Sequence, residues 1–265
     1  MRSTLTTIWV WTAIVALMVL WLPIMALTRL FDRDPGLYRS GLMLRRLGRA
    51  MTYVNPFWEI ELDGEFPDNP RNPYVCVSNH LSQADPPIIS HVPWEMKWVG
   101  KAELFRLPIA GPLMRMSGDI PVDRKDRESR AKVLATARQY LEDKCSVMFF
   151  PEGTRSRDGR VHQFADGAFR LAIKAGVPVI PIVVDGSRRA LPKHSIWFEP
   201  NPETIRVRVL PPVQADGYGP EGARDLQRKV RDKIVAQLAE WRGVSPEEVD
   251  AMAGEEASAE AGRQA

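Results

Sequence analysis

The sequence predicts an α/β fold: a single mixed β-sheet flanked by helices, with an N-terminal membrane-associated helical foot. Three observations carry that prediction. Apolar runs rich in β-branched and aromatic residues recur at 58–62, 74–77, 147–150, 177–184 and 205–210. Helical patterns fall at 126–143, 166–175 and 222–241, and alternation of this kind marks a sheet with helices on its faces. Ahead of all of them, residues 3–28 hold no charged side chain. A chain of 265 residues is long enough for one substantial core and a small appendage.

The appendage comes first. Residues 8–27 are almost wholly apolar, and twenty residues at about 1.5 Å each reach about 30 Å, the thickness of a bilayer's hydrocarbon core. A cleaved signal peptide is the competing reading, with Arg2 as its positive start. The run is long for that role, and no small-x-small cleavage site follows, so a retained anchor is expected. Arg29, Arg33, Arg39, Arg45, Arg46 and Arg49 follow it; if the segment spans, they keep the body on the cytoplasmic side. In 37–51, Leu37, Met43, Leu44, Leu47, Ala50 and Met51 project to one sector, and Arg39, Arg45, Arg46 and Arg49 to the opposite one. Such a helix either packs its stripe on the core or lies in the headgroup plane. Behind an anchor, the interface or a two-helix foot dipping into one leaflet is expected. Residues 1–54 therefore read as foot and 55–242 as body.

The formal net charge of +3 conceals an asymmetry. Residues 243–265 hold six acids and one base, leaving +8 on the other 242 residues. A basic, arginine-rich body suits anionic headgroups and phosphates; no nucleic-acid partner is expected. After Gly243 the Ala/Glu-rich sequence reads as a frayed helix or disordered tail. Cys76 and Cys145, the only cysteines, belong to no CxxC pair and read as small core residues in a reducing compartment.

Chemistry concentrates in three stretches. Asn79-His80-Leu81-Ser82-Gln83-Ala84-Asp85 follows a strand and sets an imidazole and a carboxylate five residues apart. Histidine titrates near neutrality, and a carboxylate on its other ring nitrogen would orient it and stabilise the imidazolium. Five residues is not a shared helical face, so the segment must turn, with Asp85 as N-cap and Pro86-Pro87 opening a helix. Two polar residues in an ordinary turn are the alternative. Gly118-Asp119-Ile120-Pro121-Val122-Asp123-Arg124 ends a short apolar alternation on a base. Phe150-Pro151-Glu152-Gly153-Thr154-Arg155-Ser156 leaves a strand for a loop whose amides, Thr154 hydroxyl and Arg155 fork would suit a phosphate; a plain surface loop is the competing reading. No GxSxG, HExxH or GxxxxGK[ST] pattern is present, so a serine acyl-enzyme, a zincin and a P-loop are unsupported. The GxGxxG match at 217–222 leaves too little chain for a βαβ unit and reads as a linker. His91, His162 and His194 lack metal-ligand spacing.

Taken together, NHxxxxD (79–85), Lys101 in Lys101-Ala102-Glu103-Leu104, GDIPVDR (118–124), FPEGTRS (150–156) and the apolar run 177–182 resemble the ordered blocks of glycerolipid acyltransferases, and among them the 1-acylglycerol-3-phosphate (lysophosphatidate) acyltransferases. The resemblance spans roughly 55–215. It implies a glycerol-3-phosphate acyltransferase-like fold, for which an N-terminal hydrophobic anchor is usual. It also implies transfer of a fatty acyl group from acyl-CoA or acyl carrier protein to the sn-2 hydroxyl of 1-acyl-sn-glycerol-3-phosphate. Phosphatidic acid would be the product, and no cofactor or metal is implied beyond the thioester co-substrate. By the same resemblance His80 is the general base and Asp85 its support. Lys101 and Arg155, with Arg124 as a further candidate, bind the acceptor's phosphate; Glu152, Gly153 and Thr154 complete that pocket. The expected partners are the bilayer, the lysophospholipid and the acyl donor. Another lysolipid acceptor, such as a lyso-ornithine lipid, is a rival within the same chemistry. A silent lipid-binding protein is a rival outside it, against which the presence of both His80 and Asp85 speaks.

Overall fold

The computed structural model describes residues 2–219 and 221–253. Two helices, α1 (Arg2–Phe31) and α2 (Tyr38–Thr52), precede β1 (Trp58–Gly64) and β2 (Val75–Ser78). Next come α3 (Asp85–Ile89), β3 (Met96–Lys101), α4 (Ala110–Ser117), β4 (Ile120–Val122), α5 (Arg127–Glu142) and β5 (Ser146–Phe149). The chain continues through α6 (Gly167–Ala175), β6 (Val179–Asp185), α7 (Ser187–Ala190), β7 (Glu203–Val209), α8 (Ala223–Arg242) and α9 (Pro246–Val249).

The strands form one sheet in the order β1-β7-β6-β2-β5-β3-β4. Only the β6–β7 pairing is antiparallel, so the sheet is mixed, as the sequence predicts. β2 lies between β6 and β5 with all four residues buried, which is why its run reads as continuously apolar rather than alternating. Its side chains nonetheless divide by the period of two. Val75 and Val77 pack with Phe169, Leu226 and Ile234 on one face, and Cys76 packs with Ile88, Ile180 and Phe198 on the other. β3 and β4 are the strands that the apolar runs do not reveal. Lys97 and Gly100 interrupt the pattern of β3, and β4 is only three residues long.

The foot is docked along the body. Val10 and Ile14 of α1 join the second face cluster, and Met25 packs with Leu47 of α2 and Leu113 of α4. Polar contacts accompany the packing. Thr7 Oγ1 accepts from Phe198 N at 2.9 Å, and Trp21 Nε1 donates to Met43 O at 3.0 Å. α1 is long and apolar enough to cross a membrane by length and composition, but here it touches the domain from its first turn to Met25. Its other side exposes Leu5, Ile8, Val15, Leu20, Leu27 and Leu30.

Two expectations are corrected. Arg45 does not share an exposed polar face with Arg39, Arg46 and Arg49. It is buried, donates to Asp119 at 2.6 and 2.9 Å, and lies 3.7 Å from Glu95. Lys97 completes this buried cluster through Glu95 Oε1 (3.0 Å), Leu37 O and Ser117 O. α2 is covered on more than one side, which a one-stripe projection does not represent. The tail after Gly243 also begins with structure. Ser245 and Glu248 form a capping box at α9, Val249 is buried in the first face cluster, and Asp250 pairs with Val161 and Arg231. One capping box and one valine sufficed, where bulk composition pointed to disorder. Residues 254–265 of that tail lie outside the described residues.

Candidate functional site

Four neighbouring parallel strands, β2, β5, β3 and β4, deliver the predicted residues to one edge of the sheet. His80 follows β2, 152–155 follow β5, Lys101 ends β3 and Arg124 follows β4. Loops beyond the carboxyl ends of parallel strands are where open α/β sheets take ligands.

The His80 turn is built by side chains standing in for a ladder. Asn79 Nδ2 donates to Val184 O at 2.8 Å and its Oδ1 accepts from Val184 N at 3.0 Å, extending the β2–β6 pairing by one residue. The chain then folds back. Asp85 Oδ2 accepts from His80 Nδ1 (2.7 Å), Leu81 N (2.7 Å) and Ser82 N (2.9 Å). Asp85 is thus the first residue of α3 rather than its N-cap, which is Ala84; its carboxylate gathers the preceding turn instead of capping the helix. Since a carboxylate only accepts, Nδ1 donates and the lone pair falls on Nε2. No hydrogen bond engages Nε2 among the described residues, and the side chain is 12% exposed against 0% for Asp85. The ring stacks on Phe150, with centroids 4.0 Å apart and planes at 20°. Such an imidazole can take a proton at Nε2 while the buried carboxylate stabilises the resulting charge.

Glu152 points its carboxylate at the backbone. Its oxygens accept the backbone amides of His80 (2.8 Å) and His162 (3.1 Å), so they brace the turn. Burial pushes its carboxyl up to about 7 against the pull of those two amides, with Asp85 adding to the rise. Arg231 supports the same segment, donating to His162 O (3.1 Å), Val161 O (2.7 Å) and Asp250. Ser156 N closes the brace on His80 O at 2.7 Å.

The cation loop lies beside it. Gly153 has φ +69 and nothing within 4 Å of an added Cβ, so glycine is required by the left-handed turn alone. Its carbonyl accepts from Arg124 Nη1. Lys193 Nζ holds Thr154 Oγ1 (3.2 Å) and Arg155 O (2.5 Å), while the Arg155 guanidinium has no hydrogen-bond or ion-pair partner among the described residues. Lys101 shares the sheet edge but is exposed and paired with Glu103 at 3.1 Å, outside this network. Lys193 and Phe150 were not expected. Phe150 was legible as the residue opening the Pro-Glu-Gly block, whereas Lys193 stands 38 residues from Arg155 with no local signal. A cavity of about 410 Å³ runs from Arg124 and residues 151–154 to Val99, Val133, Leu134 and Ala168. No three His, Cys, Asp or Glu side chains converge as metal ligands among the described residues.

The acyltransferase family model matches residues 59–185, which contain every site residue expected from sequence. The 1-acyl-sn-glycerol-3-phosphate acyltransferase of Haemophilus influenzae is 30% identical over 204 residues, covering 76% of this chain and 82% of that protein. The chain belongs to the 1-acyl-sn-glycerol-3-phosphate acyltransferase family. Within that family it is also similar to the chloroplastic enzyme LPAT1 of Arabidopsis thaliana, at 34% identity over 71% of this chain. The match spans about half of that plant relative, 52% of its length. The crystal structure of the 1-acyl-sn-glycerophosphate acyltransferase PlsC from Thermotoga maritima shares the fold. Its TM-score is 0.77 over 91% of this chain and 96% of that one, at 24% identity.

Proposed function

We propose that this chain transfers a fatty acyl group from acyl-CoA or acyl carrier protein to the sn-2 hydroxyl of 1-acyl-sn-glycerol-3-phosphate, making phosphatidic acid. The observation that carries the reading is the 2.7 Å contact from His80 Nδ1 to Asp85, with Nε2 free of hydrogen bonds among the described residues, at the sheet end that also carries the Arg155 loop. His80 Nε2 takes the hydroxyl proton as the alcohol oxygen attacks the thioester carbonyl. The tetrahedral intermediate then collapses, the C–S bond breaks, and the imidazolium returns the proton to the leaving thiolate. Arg155 and Arg124 receive the acceptor's phosphate through forked contacts, with Lys101 completing the cradle once it exchanges Glu103 for the ligand. The apolar part of the 410 Å³ cavity would shield an acyl chain from water.

An insoluble acceptor accounts for the foot. The exposed apolar side of α1, with Arg39, Arg46 and Arg49 exposed on α2, suits a helix pair lying in one leaflet with the catalytic domain on the cytoplasmic side. The test is a panel of lysolipids, among them lysophosphatidate and lyso-ornithine lipid, offered with labelled acyl-CoA and acyl carrier protein. Lysophosphatidate should be acylated fastest, and His80→Ala should abolish turnover while leaving the fold intact. Faster turnover of another lysolipid would reassign the acceptor; near-normal turnover by His80→Ala would remove the mechanism.

A further inference from the structure

We infer that the loop at 191–198 is a second membrane-seating element, a wedge that places Ile196 and Trp197 in the leaflet occupied by α1 and links that seating to the cation loop. The inference rests on the lipid-facing reading of α1 and extends it to a segment beyond the matched residues 59–185.

The loop is pinned at both ends and bare at its tip. Leu191 and Phe198 are buried, while Ile196 is 58% and Trp197 48% exposed. One exposed apolar side chain is ordinary on a soluble surface, but adjoining ones that continue a larger apolar surface are not. Here the continuation is α1. Trp11 Nε1 donates to Ile196 O at 2.8 Å and Phe198 N donates to Thr7 Oγ1 at 2.9 Å, so the loop lies against the first turns of the helix. Ile8 and Val15, one turn before and after Trp11, are themselves 59% and 43% exposed. The wedge therefore widens the apolar side of α1 instead of forming an isolated patch.

Charge indicates which surface this is. Lys193, Arg155, Arg157 and Arg188 gather behind the tip, and none has a carboxylate partner among the described residues. Lys193 holds the carbonyl of Arg155, and Arg188 Nε holds the carbonyl of Arg157 at 3.0 Å. Apolar side chains ahead of unbalanced cations match a leaflet bearing anionic headgroups. The same loop grips both parts of the site. Ser82 Oγ donates to Leu191 O at 2.6 Å, Gln83 Nε2 donates to Ser195 O at 3.3 Å, and Lys193 holds Thr154. Seating the tip orders the His80 turn and the arginine loop at the depth where the acceptor's headgroup lies.

The test uses the full chain carrying Ile196→Cys labelled with an environment-sensitive fluorophore; Cys76 and Cys145 are buried, so the label is selective. Vesicles of phosphatidylcholine and phosphatidylglycerol should shift its emission to the blue, and nitroxide-bearing lipids should quench it. A companion variant, Ile196→Ser with Trp197→Ser, should still sediment with vesicles through α1. It should lose about tenfold in turnover of vesicle-borne long-chain lysophosphatidate and almost nothing with a short-chain soluble one. A label that stays aqueous on sedimenting protein, or equal losses with both acceptors, overturns the wedge while leaving the α1 reading standing. Failure of the unsubstituted chain to bind vesicles overturns both.

Discussion

Asp85→Asn isolates the electrostatic half of the proposed mechanism. The carboxylate lies 2.7 Å from His80 Nδ1 and is fully buried. Charge centres about 4 Å apart attract by ~4 kcal/mol at an effective dielectric of about 20. Stabilisation of that order is available to the imidazolium formed in the transition state and absent from the neutral ground state. Replacing the acid by its amide keeps the volume and, with the amide oxygen at the Oδ2 position, an acceptor for His80 Nδ1, Leu81 N and Ser82 N, but removes the charge. The expected result is a loss of about 10³-fold in kcat, since each ~1.4 kcal/mol is a factor of ten, with both KM values changed only a few-fold. The assay is steady-state transfer of labelled acyl groups, with circular dichroism and thermal unfolding confirming the fold. A kcat within about tenfold of the unsubstituted chain would refute the reasoning, because the proton would then be leaving by a route that does not charge His80.

Arg155→Ala should raise the acceptor's KM at least tenfold, about what one charge-assisted contact contributes, and leave the thioester's KM unchanged; equal effects on both substrates would place Arg155 elsewhere in the reaction. Arg45→Met leaves Asp119 buried without its ion-pair partner and Glu95 with Lys97 alone, and should cost about 3–5 kcal/mol in unfolding free energy. Arg46→Met, one residue on and exposed, should stay within about 0.5 kcal/mol, and denaturant titration of both variants in detergent compares them. Two groups shifted by burial should shape stability against pH in opposite directions. Burial raises Glu152 from 4.5 to about 7, so its contribution is fully present below its unfolded value and is lost as pH rises through about 7; Glu152→Gln should flatten that loss. Burial lowers His91 from 6.5 to about 4, with Arg49 adding to the fall. Its contribution is present above 6.5 and lost as pH falls towards 4, and His91→Gln should flatten the acid side. Thermal unfolding measured from pH 4 to pH 8 (a span chosen to bracket both groups) reads both effects, and unchanged profiles would contradict the burial argument.

Alone, the sequence determined what local spacing can encode. The alternation of apolar runs and helical patterns specified an α/β sheet with flanking helices. The turn joining His80 to Asp85 closes over five residues, so its pairing was readable from spacing, and the cation loop announced itself as a block of chemistry beyond a strand. Only the tertiary structure decided contacts made between residues far apart in the chain. Glu152 became a brace because the amide of His80, 72 residues away, reaches it. Arg45 went inward because Asp119, 74 residues on, meets it there. Lys193 joined the cation loop from 38 residues beyond it, and Val249 left the expected tail for the core. A side chain's role follows from what surrounds it in space, and a pattern read along one element carries no information about a neighbour supplied by another.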